Sequence, residues 1–441
     1  MDEVLVLRLK ADALRNKKRY KEALLLYKQC IDLNKDNADK FLYFRFGQCL
    51  YYMQHYDKVL KLCKYLRKKF PGFEHINHLF AWALYKAAVK QPEALAPHIL
   101  NRAVKKIFDL CPAPKPFTPY TLTLLNMMEY YNEQRNARYP PFFYGVVSNT
   151  NVSLLDSKPF DFRKGKKTIK IPSDRERFFS LYIEYYIIRN QNEKCIEVCD
   201  KALSSVQNYT NDNDIWWMHK KANCLRQLGQ YEQALDLLQY IVQYKKDWYF
   251  YAEISRILLE SDHPEKALDY AIIAALRPSK PDFKVNLYAL MIELLLKNRY
   301  YSYIRELISL TLALRKKNKW NIPPQLYKEA KRWQIFDVSQ DDIRHLIHAN
   351  IRNWNKLKYR NTPCSEGVVT KLLKGGLSGF IRDKKTQKSY YFNTKSYEGD
   401  PKRICKGLEV IYYTRKGYDK KRCKVSTVVC YFSPSYSAPA P

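Results

Sequence analysis

The sequence predicts a mostly α-helical chain, a solenoid of paired helices followed by a small five-stranded β-barrel. Three observations predict this fold. Small and aromatic residues recur at intervals of about 34 residues. Only 12 of the 441 residues are glycine, which favours helix over extensive β-sheet. After residue 362 the helical period gives way to apolar residues that alternate along the chain, with glycines between them.

The helical repeat is defined by small residues at fixed distances from aromatic ones. In the first copy, Ala11 and Ala23 occupy small positions and Tyr20 precedes the second helix. Further copies comprise Gly47, Leu50, Tyr56, Val59 and Cys63; Tyr186, Cys195, Cys199 and Ala202; Ala222, Leu225, Gly229, Tyr231 and Ala234; and Leu258, Ala267, Ala271 and Ala274. The pattern resembles the tetratricopeptide repeat (TPR), a helix–turn–helix unit. The resemblance implies a solenoid, because each unit buries its apolar face only against its neighbours.

Two segments interrupt the repeat and set the predicted domain boundaries. Prolines cluster at 112–119, and residues 139–172 contain a proline pair and a basic run at 164–167 without a helical period. The basic run is either a solvated loop or a nucleic-acid contact. The predicted organisation is TPR-like helices at 1–110, a helix plus an irregular insertion at 111–172, a central solenoid at 173–338, a linker helix and basic linker at 339–362, the barrel at 363–432 and a disordered tail at 433–441.

The TPR resemblance implies a ligand groove lined by the first helix of each repeat. The corresponding positions are Arg8, Arg15, Phe44, Tyr51, Trp216, His219, Asn223, Arg226, Tyr249 and Arg256. This mixture of rings and arginines suits a protein or peptide partner, and stacked bases are an alternative. Members that bind chaperone tails clamp a terminal carboxylate with Lys and Asn. Asp12 stands at the Asn position here and would repel that carboxylate, so this clamp is not expected.

Five short strands are predicted in the carboxyl-terminal segment, at 367–372, 377–382, 388–392, 408–413 and 422–430. They carry, in order, the motifs Gly367-Val-Val, Gly379-Phe380-Ile381 and Tyr390-Tyr391-Phe392, then a glycine-initiated strand that contains Val410 and Tyr412. This order resembles a cold-shock domain of the OB-fold class. The segment departs from that family in having Ser378 where an aromatic residue is usual and Phe392 where a histidine is usual.

The cold-shock resemblance implies that rings on one face of the barrel stack on unpaired bases. The matching rings are Phe380, Tyr390 and either Tyr391 or Phe392; by alternation, Tyr390 and Phe392 share a face that Tyr391 does not. The net charge of the chain is +33, and residues 356–424 hold 19 lysines and arginines against 6 acidic residues. The cations expected to meet phosphates are Lys384, Lys385, Arg415, Lys416, Lys420, Lys421 and Arg422.

The sequence contains no motif that predicts catalysis. It has no glycine-rich phosphate loop, no H-E-x-x-H zinc motif and no G-x-S-x-G nucleophile elbow. Neither a metal nor a cofactor is predicted. With no membrane-length apolar run, no signal peptide and scattered cysteines, a cytoplasmic location is expected. The favoured hypothesis is a non-enzymatic adaptor that binds RNA or single-stranded nucleic acid through the barrel and a protein through the solenoid. The alternative is a protein–protein scaffold whose barrel is a docking module.

Overall fold

The computed structural model describes residues 3–34, 38–111, 113–134, 138–165, 167–336, 338–339, 342–398, 400–419 and 424–435. The chain forms two compact units, Met1–Gln230 and Tyr231–Pro441. The predicted fold class is confirmed: paired helices form a TPR-like solenoid, and a closed five-stranded barrel follows.

The first unit is a run of helices in which most helices pack on the next one along the chain. These helices are α1 (Glu3–Asn16), α2 (Tyr20–Leu33), α3 (Lys40–Tyr52), α4 (Tyr56–Lys69), α5 (Glu74–Leu84), α6 (Pro97–Leu110), α7 (Pro119–Glu133), α8 (Pro141–Ser148), α9 (Asp174–Ile188), α10 (Asn192–Ser205) and α11 (Asn213–Gln227). Ala11 and Ala23 have no exposed surface, as expected of residues at close helix crossings. At Gly47 a Cβ atom would lie 2.9 Å from Leu79 Cδ2, so a side chain on α3 there would require the Leu79 side chain of α5 to shift.

The insertion at 139–172 contains regular structure that its sequence did not reveal. Helix α8 is only eight residues long, too short to show a helical period. Its Pro141 occupies the first turn, where a helix tolerates proline because no backbone donor is lost. Strands β1 (Phe160–Lys164) and β2 (Lys167–Ile171) then form an antiparallel hairpin that includes most of the predicted basic run.

Within the residues that the structure describes, the second unit begins with seven α-helices and ends with the barrel. The helices are α12 (Tyr231–Tyr244), α13 (Trp248–Glu260), α14 (Pro264–Leu276), α15 (Val285–Lys297), α16 (Ile304–Lys317), α17 (Pro324–Arg332) and α18 (Ile343–Lys358). The repeat residues Ala267, Ala271 and Ala274 are fully buried. Helix α18 lies on α14 and α16. Its Trp354 ring stacks on Tyr288 of α15, with centroids 5.6 Å apart. The side-chain amide of Asn350 on α18 donates to the Glu306 carbonyl at 2.9 Å.

The barrel consists of β3 (Ser365–Leu372), β4 (Ser378–Asp383), β5 (Ser389–Asn393), β6 (Glu409–Asp419) and β7 (Lys424–Pro434). The strands close in the order β3-β4-β5-β7-β6, and β3 pairs with β6 to complete the ring. The β5–β7 pair is parallel and the other pairs are antiparallel. The interior is filled by apolar side chains, which include Val369, Ile381, Phe392, Val410, Tyr412, Val429 and Phe432.

A buried carboxylate braces the end of strand β4. Asp383 accepts hydrogen bonds from the Tyr412 hydroxyl and from the backbone N–H groups of Lys385 and Thr386. The bond from Tyr412, followed by the backbone bonds, holds the pKa of Asp383 below its ordinary value. Burial and the same hydrogen bond raise the pKa of Tyr412. Folding therefore favours the ionised form of Asp383 over the protonated form.

This arrangement predicts how the barrel responds to acid. Because the folded pKa of Asp383 is depressed, its stabilising effect is present at neutral pH and is lost as the pH falls below its ordinary value of about 4. Asp383→Asn should destabilise the protein at pH 7, and the difference from wild type should shrink as the pH approaches 3. Denaturant unfolding of both proteins from pH 7 to 3 measures this difference. A difference that stays constant with pH would show that ionisation of Asp383 does not contribute.

Candidate functional site

The strand register places five residues side by side across the outside of the barrel. Lys371 on β3 lies opposite Phe380 on β4, which lies opposite Tyr391 on β5. Tyr391 lies opposite Val428 on β7, and Val428 lies opposite Arg415 on β6. Residues opposite one another share a face of a sheet. We call this set, Lys371–Phe380–Tyr391–Val428–Arg415, the ring row.

The two rings of the row are accessible and in contact. Tyr391 is 39% exposed and Phe380 is half-buried. Their centroids are 5.9 Å apart and their planes meet at 72°, which is an edge-to-face arrangement. Strands β4 and β5 place no glycine on this face, so the rings stand on a continuous sheet surface.

The predicted stacking residues lie on two different faces of the barrel. Tyr390 and Phe392 do share a face that Tyr391 does not, as alternation predicted, but it is the inner one. Phe392 is fully buried against Phe432, with centroids 4.8 Å apart, so its assignment as a stacking ring was wrong. Tyr390 is half-buried and its ring faces Tyr412 in the core, 5.8 Å away. Tyr391, the alternative predicted for that position, lies on the outer face opposite Phe380.

Glycine explains why Phe392 faces inward. Gly379 lies opposite Phe392, and a Cβ atom at Gly379 would fall 2.7 Å from the Phe392 ring and 2.3 Å from the Lys371 carbonyl oxygen. The Phe392 ring thus uses the space that a side chain at Gly379 would fill. This pairing of glycine with a large ring is the sequence signal that could have identified the inner face.

Some cations near the ring row are exposed to solvent, whereas another is already held in ion pairs within the protein. Arg382 is exposed and lies two residues from Phe380 on the same strand, so it shares the outer face. Lys371 and Arg415 are exposed at the two ends of the row. In contrast, Lys384 forms ion pairs with Glu409 at 3.0 Å and Glu366 at 3.9 Å, so two carboxylates already neutralise its charge.

Of the remaining predicted cations, the structure describes Lys385 and Lys416, which are not members of the ring row. Lys385 is exposed in the turn after β4, where its backbone N–H donates to Asp383. Lys416 is exposed and follows Arg415 on β6, so alternation directs it to the opposite face. Lys420, Lys421 and Arg422 lie outside the residues that the structure describes.

The end of α18 joins the barrel to the helices of the second unit. The Tyr359 ring stacks on Tyr413 at 5.2 Å and on Tyr431 at 5.7 Å, both on the outside of the barrel. The next residue, Arg360, forms an ion pair with Asp269 of α14 at 2.6 Å. The predicted basic linker is therefore anchored to the barrel through Tyr359 and to α14 through Arg360.

The groove residues predicted near the amino terminus are engaged within the solenoid. Arg8 forms an ion pair with Asp39 at 2.5 Å, and Arg15 donates to Gln48 Oε1 at 2.8 Å, so both link α1 to the α3 region. Phe44 packs near His75 at 5.4 Å, and Tyr51 contacts Tyr52 and Tyr56. Asp12, the residue that argued against a carboxylate clamp, accepts hydrogen bonds from Tyr27 and Arg45.

The later groove residues lie on α11 and α13. Trp216 is 39% exposed, and the His219 ring contacts the Asn223 amide at 3.3 Å. Burial lowers the pKa of His219 to about 4, so this side chain is neutral at physiological pH. Arg226 ends the same stripe of α11. Tyr249 and Arg256 are half-buried on α13, which belongs to the second compact unit.

The described residues offer no metal centre. Within the ranges that the structure covers, His, Cys, Asp and Glu side chains never gather in a group of three or more with metal-binding geometry. Ten cysteines in those ranges are free thiols. The pKa of the Cys195 thiol rises to about 12, chiefly through its hydrogen bond with Cys199. Among the helices described, none combines the length and the apolar character needed to cross a membrane.

Comparisons with known proteins concern the helical part of the chain. A family model described as Domain of unknown function (DUF7017) matches residues 215–351, from the start of α11 to the middle of α18, and stops before the barrel. No curated protein matches the sequence.

The solved structures that are similar to the chain include the following three. A thermophilic TPR protein of Thermus thermophilus, TTC0263, is 12% identical with a TM-score of 0.22, and the match covers 58% of this chain and 99% of that one. The TPR2AB domain of yeast Sti1 in complex with pHSP90 is 10% identical with a TM-score of 0.30, covering 66% and 98%. The APC/C hetero-tetramer Cut9–Hcn1 is 14% identical with a TM-score of 0.29, covering 81% and 76%.

Proposed function

We propose that this protein is a non-enzymatic adaptor whose barrel binds RNA or another single-stranded nucleic acid across the ring row, while its solenoid binds a protein partner. The observation that carries the nucleic-acid proposal is the order of residues in that row. Two contacting rings stand at its centre, with Lys371 at one end and Arg415 at the other. Rings stack on bases, and cations neutralise the phosphates beside them.

The position of the rings within the barrel supports this proposal. In OB-folds the face formed by the second and third strands binds oligonucleotides. In this barrel the second and third strands are β4 and β5, which carry Phe380 and Tyr391. The closed five-stranded order, with its parallel third and fifth strands, supports the resemblance to that class.

The form of the ligand follows from the exposure of the rings. A base reaches Phe380 and Tyr391 with its flat face only when it is not stacked in a helix, so an unpaired strand is favoured over a duplex. Each stacked base contributes about 1–3 kcal/mol, largely independent of its identity. The proposed activity is therefore binding with modest sequence preference.

The solenoid is proposed as the protein-binding part because stacked helix pairs present an extended surface. The predicted groove supplies accessible groups for this purpose, among them Trp216. Arg8 and Arg15 already hydrogen-bond within the solenoid, so a partner there would share or replace those bonds. The chain as a whole would then link a bound strand to a second protein.

The contribution of charge can be tested by salt dependence. Replacing Lys371, Arg382 and Arg415 by Ser should weaken binding of a single-stranded oligonucleotide and lower the slope of log K against log salt by up to about 2, since each phosphate contact contributes about 0.7. The measurement is affinity at several salt concentrations, for the same strand alone and within a duplex, using the full chain.

A matched control separates local contacts from net charge. Replacing Lys64, Lys68 and Lys105 by Ser removes the same charge from helices α4 and α6 of the first unit. This control should leave the slope close to that of wild type. Equal slopes for the two triple variants, or equal affinity for strand and duplex, would mean that the barrel acts as a nonspecific polycation.

A further inference from the structure

An apolar groove lies on the first unit between α4, α5 and α6, away from the residues predicted to line a ligand groove. Its volume is about 790 Å³. The floor is aliphatic apart from one buried ring, and it is formed by Leu60, Phe80, Leu84, Ile99 and Ala103. Ile99 is 47% exposed, so part of this floor faces solvent. The predicted ligand residues Arg8, Arg15, Phe44 and Tyr51 belong instead to α1 and α3.

Cations border this groove on two sides. Helix α4 contributes Lys64, Arg67 and Lys68, and helix α6 contributes Arg102, Lys105 and Lys106; Asp109 is the one acidic residue in the lining. None of these six cations is part of an ion pair within the described ranges. A ligand with anionic flanks would therefore complement the charge around this apolar floor.

The helical spacing produces this pattern. On α4, Leu60 and the three cations fall at i, i+4, i+7 and i+8, which is one stripe of a helix. On α6, Ile99, Arg102, Ala103 and Lys106 fall at i, i+3, i+4 and i+7. Each stripe therefore presents apolar residues beside cations, and α5 supplies Phe80 and Leu84 between them.

We propose that this groove binds an amphipathic helix of a protein partner, with leucine-like residues on one face and Asp or Glu on its flanks. Both bordering helices have 14 residues, about 21 Å of helix, which matches an apolar face of i, i+3, i+4, i+7 anchors. The anchors would cover Leu60, Leu84 and Ile99, while the acids pair with α4 and α6. This docking is independent of the ring row.

The floor favours a protein helix over nucleic acid. A polyanion would satisfy the six cations but leave the aliphatic floor in contact with water. Phe80 is only 4% exposed, so the floor has no ring on which a base could stack. An amphipathic helix buries the floor and neutralises the cations together.

The test uses a designed peptide of Leu and Glu with its leucines at i, i+3, i+4 and i+7, and a second peptide of identical composition in which the leucines are scattered. Fluorescence anisotropy with the full chain should show the amphipathic peptide binding at least tenfold more tightly. Ile99→Asp, and separately Lys64→Glu with Lys105→Glu, should each weaken that binding at least tenfold. Leu25→Asp, at a leucine that is 59% exposed on α2, is the control and should bind like wild type.

Several outcomes would overturn the proposal. One is equal binding of the two peptides, and another is peptide binding by Ile99→Asp that is as tight as that of wild type. The third is a single-stranded oligonucleotide that displaces the peptide and binds more weakly when the charges of Lys64 and Lys105 are reversed. Thermal melting checks that each variant is folded. The double variant Phe380→Ala with Tyr391→Ala should still bind the peptide, so failure of the nucleic-acid proposal remains distinct from failure of this one.

Discussion

Replacing both Phe380 and Tyr391 by Ala is expected to weaken binding of a single-stranded oligonucleotide by about 2–5 kcal/mol, because two stacking surfaces are removed. The slope of log K against log salt should stay close to that of wild type, since neither ring carries a charge that could pair with a phosphate. Both side chains lie on the outer face, so the variant should fold. Affinity for one oligonucleotide across several salt concentrations, together with thermal melting, provides the measurement.

An equivalent pair of rings elsewhere on the surface supplies the control. Tyr240 and Tyr244 on α12 are 46% and 65% exposed, and their ring centroids are 5.0 Å apart. Replacing both by Ala should leave oligonucleotide affinity unchanged. If the Phe380 and Tyr391 double variant folds and binds like wild type, the ring row is not a stacking surface. The barrel would then be better explained as a protein-docking module.

Gly379→Ala is expected to destabilise the barrel by roughly 3 kcal/mol, at the upper end of the usual cost of overpacking. The new Cβ atom would lie 2.3 Å from a backbone oxygen of β3, and a backbone atom cannot move aside without disturbing the strand pair. It would also meet the Phe392 ring, which is confined in the core. Denaturant unfolding of the full chain measures the loss.

Gly145→Ala is the matched control for that substitution. Gly145 lies in α8, and a Cβ atom there would meet no other atom within 4 Å. In a helix this change should be neutral or stabilise the protein by up to about 1 kcal/mol. If Gly379→Ala is as stable as Gly145→Ala, then β3 and β4 do not approach as closely as the structure shows.

The fold was predictable where the spacing of residue types along the sequence is enough to show which side chains are buried. Fully buried alanines such as Ala23 and Ala267 mark helix crossings, and a period of two marks the strands of the barrel. Short elements were harder to predict from the sequence. Helix α8 spans only about two turns, and it begins at Pro141, although proline more often marks the end of a helix.

The site was less predictable, because its composition depends on neighbours that are distant in the sequence. Alternation separated Tyr391 from Phe392 but could not identify which of the two faces the interior; the strand opposite decides that through Gly379. Lys384 looked like the other loop cations, and only the fold brings Glu409 next to it. The cations of α4 and α6 likewise resemble separate solvated helix faces until packing places them around one groove.

The anchoring of α18 has a consequence for how the second unit unfolds. Trp354 stacks on Tyr288 of the solenoid and Tyr359 stacks on two tyrosines of the barrel, while Arg360 reaches back to α14. Helix α18 and the two residues that follow it thus contact both the solenoid helices and the barrel. Unfolding of α18 would expose apolar residues of both the last solenoid helices and the barrel. These two parts should therefore unfold together in one cooperative transition. A chain cut at residue 351, where the family match ends, would divide this cooperatively unfolding part rather than separate two domains.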